Sequence, residues 1–487
     1  MEKTKLKLLG ISILFLLGIC CFTACNDDHN SIEKQKILND SYICPSVPNG
    51  SIGIIAFENR KGQFVGAGYD VMGDYLSISS IKSMVLNIPD DELDSVKGLS
   101  SFTTTYEGVD MTDFLQSIAK GNDIDIPSEY EDDLLFTGTI SNSDHFSDKD
   151  DYSSQYSFVC EEPTWTQIRV RSKTLSAKYL IPYLTERFKN DLEDLSPQAL
   201  IEGYGTHVLI TAYLGSRVRS LYRAVIATDK SNYAQPAFYG LEARRKEIYK
   251  MPNITTEEPE KEVAKNNGPA IYIEFCGGDK KYIPYLQLTP NEVIGDPMDL
   301  TQWYKSLNSS NCALSELHGK DMIPLYELVA DPTKKEQIKK AIQKYIHENQ
   351  LQKVLTTPIY QGINGMHHRY FISYKDYSEN AENTWTCEAA LGGLYINRQP
   401  ETEPLYQYTN GQNDRFSSEY YSDGIDGMHF LRIAGYTCKS YKSQSTTILY
   451  EIWNGQDDYA YTTEDKQSYG KNGSWIKTGE EWNIKAI

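Results

Sequence analysis

The side chains that could do chemistry do not form a recognisable catalytic set. The sequence has no Gly-x-Ser-x-Gly nucleophile motif, no HExxH metal motif and no P-loop, and Gly66-x-Gly68 lacks the third glycine of a dinucleotide-binding loop. Acidic pairs such as Asp90-Asp91 lie in polar segments that are typical of solvated loops. We therefore predict no catalytic residue, no metal site and no cofactor.

The cysteines favour an oxidising compartment without indicating a redox site. No CxxC pair occurs, which disfavours zinc-binding and thioredoxin-like interpretations. One or two disulfides and free buried thiols are both compatible with the spacing. The six cysteines beyond the amino-terminal segment are Cys44, Cys160, Cys276, Cys312, Cys387 and Cys438.

The amino-terminal segment has the organisation of a bacterial lipoprotein signal. Three lysines precede an apolar run over residues 8–17, which is short for a membrane span. The Phe-Thr-Ala-Cys sequence ending at Cys25 resembles a lipobox, with Cys25 as the lipidated first residue of the mature protein. We predict a signal peptide over residues 1–24 and a polar tether over residues 25–49. An ordinary cleaved signal peptide and an uncleaved anchor are the alternatives.

The acidic Asn-Asp-Asp after Cys25 resembles the surface-export signal of Bacteroidetes lipoproteins. We therefore expect an outer-membrane surface lipoprotein that is either retained there or released to the extracellular space. The net charge of −19 argues against nucleic acid as a partner.

One stretch combines a helix end, glycines and a histidine. The helix is expected to begin at Ser196-Pro197 and to end at Gly203 or Gly205. After His207, apolar and other residues alternate with the period of a strand. A buried histidine at a helix-to-strand junction is the simplest interpretation of this stretch.

The same stretch resembles a family signature. Tyr204, Gly205, Thr206 and His207, with Gly215 eight residues after the histidine, are similar to the motif of the membrane attack complex/perforin (MACPF) family. Val208 stands where that motif usually has an aromatic residue, and Ser216 replaces its second glycine. The resemblance implies a structural role at the bend of a central sheet, where His207 would hold the junction by a hydrogen bond.

Further matches follow in the family's order. They are Gly66-x-Gly68-Tyr69-Asp70, Cys276-Gly277-Gly278, Trp303-x-x-Ser306-Leu307 and the run from Ile323 to Leu328. The resemblance implies an α+β fold with a MACPF domain over residues 50–354, in which a bent antiparallel sheet carries two helical clusters. Gly277 and Gly278 would be sheet-bend glycines.

The two clusters, which refold into membrane hairpins in that family, would occupy residues 101–158 and 227–268. Periodicity and capping signals predict the elements around them. These are a helix over Met111–Lys120 with Thr112 as cap, a strand over Leu134–Ile140, an amphipathic helix over Ser176–Leu195, a strand over Arg217–Ile226, and a closing helix from Thr333 to about Lys353.

The remaining residues, 355–487, contain a threefold repeat. Each copy has a strand that ends in Asn-Gly, a strong hairpin signal because both turn positions need positive φ. The repeated positions are Tyr360, Asn364 and Gly365, then Tyr406, Asn410 and Gly411, then Tyr450, Asn454 and Gly455. Three all-β copies of about 45 residues predict a closed three-fold domain, and the β-trefoil is the architecture that this pattern favours.

Two details of the repeat were interpreted from alignment of the copies. After the turn, Tyr370 matches Phe416, and Ala460 breaks the series. His367-His368 stands where the other copies have Asn413-Asp414 and Asp457-Asp458, which favours a solvated polar turn over a metal site.

The resemblance implies a pore former whose monomers assemble into a homo-oligomeric ring on a target membrane. A surface lipoprotein of this kind is similar to the antibacterial MACPF lipoproteins of gut Bacteroidales. The carboxy-terminal module would then recognise an outer-membrane protein, lipopolysaccharide or glycan on the target.

Two other classes remain open. One is a non-lytic surface adhesin that binds host or microbial glycans, because the predicted hairpin segments alternate poorly and residues 257–265 are mostly charged. The other is a secreted hydrolase with an unrecognised site.

Overall fold

A computed structural model of the chain was analysed. It describes residues 41–44, 64–124, 133–141, 151–154, 156–227, 232–249, 260–283, 287–288, 293–294, 297–308, 311–381, 384–440, 446–456, 458–466, 468–469 and 474–486. The predicted signal peptide and the predicted lipidation site Cys25 lie outside these residues.

The first part of the chain mixes strands and helices. Its strands are β1 (Ser41–Cys44), β2 (Ala67–Tyr69), β3 (Ile81–Met84), β4 (Leu93–Gly108), β5 (Asp151–Ser153), β6 (Tyr156–Ser172), β7 (His207–Leu209), β8 (Thr211–Ile226), β9 (Asn266–Cys276), β10 (Gln287–Leu288), β11 (Val293–Ile294), β12 (Ala313–Glu316), β13 (Met322–Pro324) and β14 (Gln352–Val354). Its helices are α1 (Met111–Gly121), α2 (Gly138–Ser141), α3 (Ala177–Leu180), α4 (Glu186–Asp194), α5 (Pro197–Tyr204), α6 (Ala234–Ile248), α7 (Glu260–Val263), α8 (Leu300–Lys305) and α9 (Pro332–Asn349).

A central sheet organises this part, with strand order β1–β9–β8–β6–β4 and β12 paired to β8. Strands β4, β6 and β8 are 16, 17 and 16 residues long and run antiparallel to their neighbours. A smaller sheet, β13–β7–β2–β3, lies beside it.

Both faces of the central sheet are covered. Side chains alternate between faces along a strand, so the neighbours Phe158 and Val159 enter different cores. The core around Phe158 contains the apolar face of α1, and the core around Val159 contains that of α6. The sheet therefore carries one helix-bearing connection on each face.

Several predicted elements differ from the observed ones. The helix predicted over Ser176–Leu195 is divided into α3 and α4, because Pro182 ends the first segment and Thr185 caps the second by accepting from Phe188 N at 3.2 Å. The predicted strand Arg217–Ile226 is the second half of the longer β8.

The strand predicted over Leu134–Ile140 is wrong. Phe136 has φ +57°, and its amide donates to Val71 O at 2.7 Å instead of joining a ladder. The segment continues into the helical turn α2. Its apolar residues are buried by tertiary contacts, which a short apolar run does not distinguish from strand burial.

The boundaries of the first helical cluster also need correction. Residues 101–108 belong to β4, so the connection begins at residue 109. Helix α1 is capped by Asp110 and not by Thr112, because the Asp110 carboxylate accepts from Thr112 N at 2.9 Å and from Asp113 N at 3.2 Å. The closing helix α9 starts at Pro332 and ends at Asn349, slightly short of the predicted Lys353.

The carboxy-terminal part is dominated by one ten-stranded sheet and contains the short helix α10 (Tyr374–Asn380). Its strands are β15 (Thr356–Asn364), β16 (His367–Ile372), β17 (Thr386–Tyr395), β18 (Thr402–Thr409), β19 (Asp414–Ser417), β20 (His429–Cys438), β21 (Thr446–Trp453), β22 (Tyr459–Thr462), β23 (Ser468–Tyr469) and β24 (Trp475–Lys485).

Each repeat copy forms one antiparallel unit in which the first strand lies between the second and the third. The third strands β17, β20 and β24 also pair with one another, which joins the three units. The first copy contacts the amino-terminal part through hydrogen bonds that include Tyr360 Oη to Ile226 O (3.4 Å) and Ala390 N to Asn267 Oδ1 (3.2 Å). The end of the third copy contacts it as well, because Tyr156 Oη donates to Ala486 O at 2.8 Å.

Candidate functional site

The His207 stretch forms a close crossing between two backbone segments. Helix α5 begins at Pro197, with Ser196 Oγ accepting from Ala199 N at 3.2 Å, and ends at Gly205, which has φ +75°. A Cβ on Gly205 would lie 2.5 Å from Tyr69 O, and one on Gly68 would lie 1.9 Å from Tyr204 O. Only glycines allow this approach.

Thr206 and His207 sit at the centre of the crossing. The Thr206 hydroxyl donates to Tyr69 O and accepts from Val71 N, both at 3.2 Å, and lies 3.0 Å from His207 Nδ1. Burial lowers the pKa of His207 to about 4, so the imidazole is neutral at neutral pH. The hydrogen bond of His207 is thus made to its neighbour Thr206, which connects the two crossing segments.

The strand predicted after His207 is interrupted at Ile210. Its amide donates to Asp321 O at 2.8 Å and its carbonyl accepts from Ser172 N at 2.9 Å. Residues 207–209 therefore belong to the small sheet as β7, whereas β8 runs through the central sheet. The motif passes the chain from one sheet to the other.

Glycines also occupy the positions where the family resemblance predicts a bend of the central sheet. At Gly215, opposite a register shift in β6, a Cβ would lie 2.0 Å from Trp165 O. Gly277 follows β9 with φ +74°, and its Cβ would lie 2.4 Å from Gly215 O. Gly278, with φ +71°, packs against the buried Trp303. The predicted glycines Gly215 and Gly277 therefore lie next to each other, one in β8 and one directly after β9.

A buried ionic cluster lies next to this bend, and the sequence interpretation missed it. Arg219 pairs with Asp74 and with Glu162, each at 2.5 Å, and Arg217 pairs with Glu274 at 3.0 Å. All five side chains are buried. Desolvation raises the pKa of Asp74 to about 6, while the nearby Arg219 acts in the opposite direction.

The cluster attaches the segment after β2 to the sheet, because Arg219 also donates to Tyr75 O. The signal that could have revealed it is the arginine pair at i and i+2 in β8. Such a pair places two positive charges on one face of the strand.

Two helix-bearing connections join long strands of the central sheet. The first links β4 to β6 and includes α1, which buries Phe114 against Phe158 with ring centroids 5.3 Å apart. The second links β8 to β9 and includes α6, where Arg245 pairs with Glu161 at 2.5 Å. Each connection joins neighbouring antiparallel strands.

In the described residues no helix is both long and apolar enough to span a bilayer. The sequence left open whether the cysteines form disulfides. Five of them are free thiols: Cys160, Cys276, Cys312, Cys387 and Cys438.

The repeat turns have related geometry in the three copies. Gly365, Gly411 and Gly455 have φ of +67°, +85° and +81°. The Asn410 side chain accepts from Gln412 N at 2.9 Å and the Asn454 side chain from Gln456 N at 2.9 Å, which fixes those turns.

The copies meet through side chains that follow these turns. The rings of Tyr370, Phe416 and Tyr461 are 4.9 to 5.3 Å apart, so the third copy does supply an aromatic residue, one position beyond Ala460. This result corrects the alignment. The extra residue in the turn of the third copy displaced the match in sequence.

The interpretation of His367-His368 as a solvated turn is wrong. Both residues begin β16, where His367 Nδ1 lies 2.9 Å from Asn413 Oδ1 and His368 Nδ1 lies 2.6 Å from Asp458 Oδ2. Asn413 and Asp458 are buried. These contacts join the first copy to the second and third.

Comparisons with known proteins agree with this architecture. The model of the MAC/Perforin domain family matches residues 109–355, just over half of the 487-residue chain. No curated protein matches the chain in sequence.

Two of the solved structures that match the chain are bacterial proteins. GNIP1Aa from Chromobacterium piscinae is 13% identical over 87% of this chain and 82% of its own, with a TM-score of 0.49. A protein described as a cell invasion protein with a MAC/Perforin domain, from Bacteroides thetaiotaomicron, is 18% identical over 64% of this chain and 66% of its own, with a TM-score of 0.45.

Proposed function

Because the chain belongs to the MAC/Perforin domain family, we propose that it is a surface-exposed, pore-forming-type toxin that acts on the membranes of target bacteria. The observation that carries the proposal is the placement of two helix-bearing connections between long antiparallel strands. In this proposal both connections leave the sheet and extend the flanking strands into membrane hairpins.

The sheet edges support assembly into a ring. In the described part of the chain β4 pairs with β6 alone, so its outer edge is open. Val96 and Phe102 on this strand are 49% and 41% exposed. A long open edge is a template for pairing with another chain. We propose that a second copy pairs there and that repetition of this contact closes a homo-oligomeric ring.

The attachment and targeting roles are also proposals. Cys25 would carry the lipid that holds the protein on the outer-membrane surface before contact or release. Residues 355–487, with the three-fold pairing of β17, β20 and β24, would form a closed module of β-trefoil type that recognises a receptor on the target. No enzymatic step is part of this function.

Dye release tests the proposal. Purified protein is added to vesicles made from outer membranes of related strains and, in parallel, to live cells of those strains. The proposal expects release of encapsulated dye and zones of killing on sensitive strains. Stable binding without release on every strain would contradict it.

A non-lytic adhesin is the second candidate, and a specific observation favours it. Helix α6 ends in a buried ion-pair set in which Arg245 contacts both Glu161 and Glu242, and the sequence that follows is rich in charge. Both features oppose refolding of the second connection into a membrane hairpin. Binding to immobilised glycans with no leakage from any membrane would support the adhesin.

A further inference from the structure

The three repeat copies place the same tyrosine in three different environments. Tyr360 of the first copy is 1% exposed and donates to Ile226 O of the amino-terminal part. Tyr450 of the third copy is 9% exposed and has Lys477 Nζ 3.6 Å above its ring centroid. In the first and third copies, other parts of the protein thus cover this tyrosine.

The second copy presents an aromatic surface at this position. The rings of Tyr406, Tyr420 and Phe430 lie 5.2 to 6.3 Å from one another, and Tyr420 is 55% exposed. We call these three residues the aromatic platform. Exposed clustered aromatic side chains are characteristic of recognition surfaces.

Hydrogen bonds of the neighbouring residues fix the position of the platform. The buried Tyr408 hydroxyl accepts from Tyr421 N at 2.6 Å and donates to Glu419 O at 3.3 Å, so it fixes the backbone on both sides of Tyr420. The Tyr421 hydroxyl donates to the Glu419 carboxylate at 2.9 Å. A ring that is already fixed loses little conformational entropy when a ligand binds.

A cavity adjoins the platform. Ile433 lies directly opposite Tyr406 in the β18–β20 ladder and also lines a cavity of about 490 Å³. The other lining residues are apolar or hydroxyl-bearing: Thr357, Ile372, Ser373, Ile396, Ala434, Gly435 and Tyr436. A cavity of this size is in the range that holds small ligands.

The charges and ring contacts around the platform limit the chemical class of ligand that it can bind. The exposed residues that flank Tyr420 in sequence include the acidic residues Glu419 and Asp423, and the chain carries a net charge of −19. An acidic rim opposes anionic lipids and acidic polysaccharides. The Phe430 ring contacts Tyr406 and Tyr420 edge to face and the Tyr406 ring is tilted against Tyr420, so the three rings pack on one another instead of surrounding a site for an ammonium group.

We propose that the aromatic platform binds a neutral saccharide. The apolar face of a pyranose ring stacks on Tyr420, and its hydroxyls donate to Glu419 and Asp423, while the hydroxyl-lined cavity holds a neighbouring sugar unit. This proposal rests on the recognition role proposed above for residues 355–487, and it names the ligand class of that module.

Glycan-array binding of the full chain tests the proposal, with Tyr420→Ala and Glu419→Gln as test variants. Tyr179→Ala is the matched control, because Tyr179 is a 63% exposed tyrosine on α3 in the other part of the chain. We expect binding to neutral glycans, a loss of roughly tenfold or more in affinity for Tyr420→Ala, and no change for Tyr179→Ala. Thermal unfolding of each variant checks that the fold is intact.

Any of the following results would overturn the proposal: wild-type binding to neutral glycans that Tyr420→Ala leaves unchanged, preference for sialylated or sulfated glycans, or binding to glycan-free phosphatidylcholine vesicles that requires Tyr420. Absence of binding to any neutral glycan would also overturn it. Dye release is measured separately on the same wild-type sample. Because glycan binding does not require leakage, a failure of pore formation can be distinguished from a failure of glycan binding.

Discussion

At the scale of single residues, Gly215 and Gly277 carry a severe steric constraint. Gly215 faces Trp165 O and Gly277 faces Gly215 O, so three adjacent strands approach one another where no side chain fits. The sequence motif identified both positions. The reason for them, the distance between backbones, is visible only in the folded sheet.

We predict that Gly215→Ala destabilises the protein strongly. Its Cβ would meet the Trp165 carbonyl at 2.0 Å, which forces the backbone of the sheet to shift, and we expect a loss of about 2–4 kcal/mol in unfolding free energy. Gly203→Ala is the control, because it lies in helix α5 with no atom within 4 Å of a new Cβ and should gain about 0.5–1 kcal/mol. Equal effects in chemical denaturation would contradict the account.

His207 should contribute a pH dependence to stability. Burial lowers its pKa to about 4, whereas an unfolded histidine titrates near about 6.5. Protons therefore bind the unfolded chain more readily, so the stabilisation is complete above about pH 6.5 and is lost as the pH falls toward about 4. We expect the unfolding free energy of the wild type to fall more steeply over this range than that of His207→Gln. Parallel profiles would show that the imidazole is not buried in its neutral form.

At the scale of elements, the sequence predicted helices with strong caps well and short apolar segments poorly. Ser196 caps α5 as expected because Ser-Pro is a local signal. The segment after Leu134 was misread because its burial comes from distant partners, such as the Val71 carbonyl that receives the Phe136 amide. The ionic cluster around Arg219 was missed for the same reason, since its acids come from separate strands and a loop.

Helix α1 provides a test of refolding at this scale. Asp110→Ala removes the cap of α1 and should cost about 1 kcal/mol of helix stability. If α1 must unfold before the membrane opens, dye release should become about fivefold faster, because 1 kcal/mol corresponds to that factor in rate.

Ser196→Ala is the matched control for this experiment. It removes a cap of similar strength from α5, which lies in the small-sheet core and not in a refolding connection. Its release rate should match that of the wild type. A similar acceleration by both variants would indicate general destabilisation instead of refolding of α1.

At the scale of the whole molecule, the repeat pattern predicted an all-β carboxy-terminal part, and the structure has one. The contacts between the three copies were harder to predict from the sequence. One extra residue in the turn of the third copy hides the equivalence of Tyr461 and Tyr370. Which copy faces the amino-terminal part could not be predicted, since all three carry the same tyrosine.

The open edge of β4 leads to a prediction about assembly. Val96→Lys combined with Phe102→Lys places two charges along this edge, which opposes pairing with a second chain. We expect ring formation on target membranes, seen by electron microscopy, to be lost while monomer binding persists. Tyr179→Lys, an exposed position away from the edge, should leave rings intact. Rings of normal size in the double variant would rule out this edge as the contact.

We propose that this chain opens a membrane after binding to it. Dye release from outer-membrane vesicles of a panel of related strains, measured with the full-length protein alongside its binding, tests that claim most directly. The account predicts release from at least one strain, rising cooperatively with protein concentration as a ring requires. Saturating binding on vesicles of the panel with no release from any of them would contradict it.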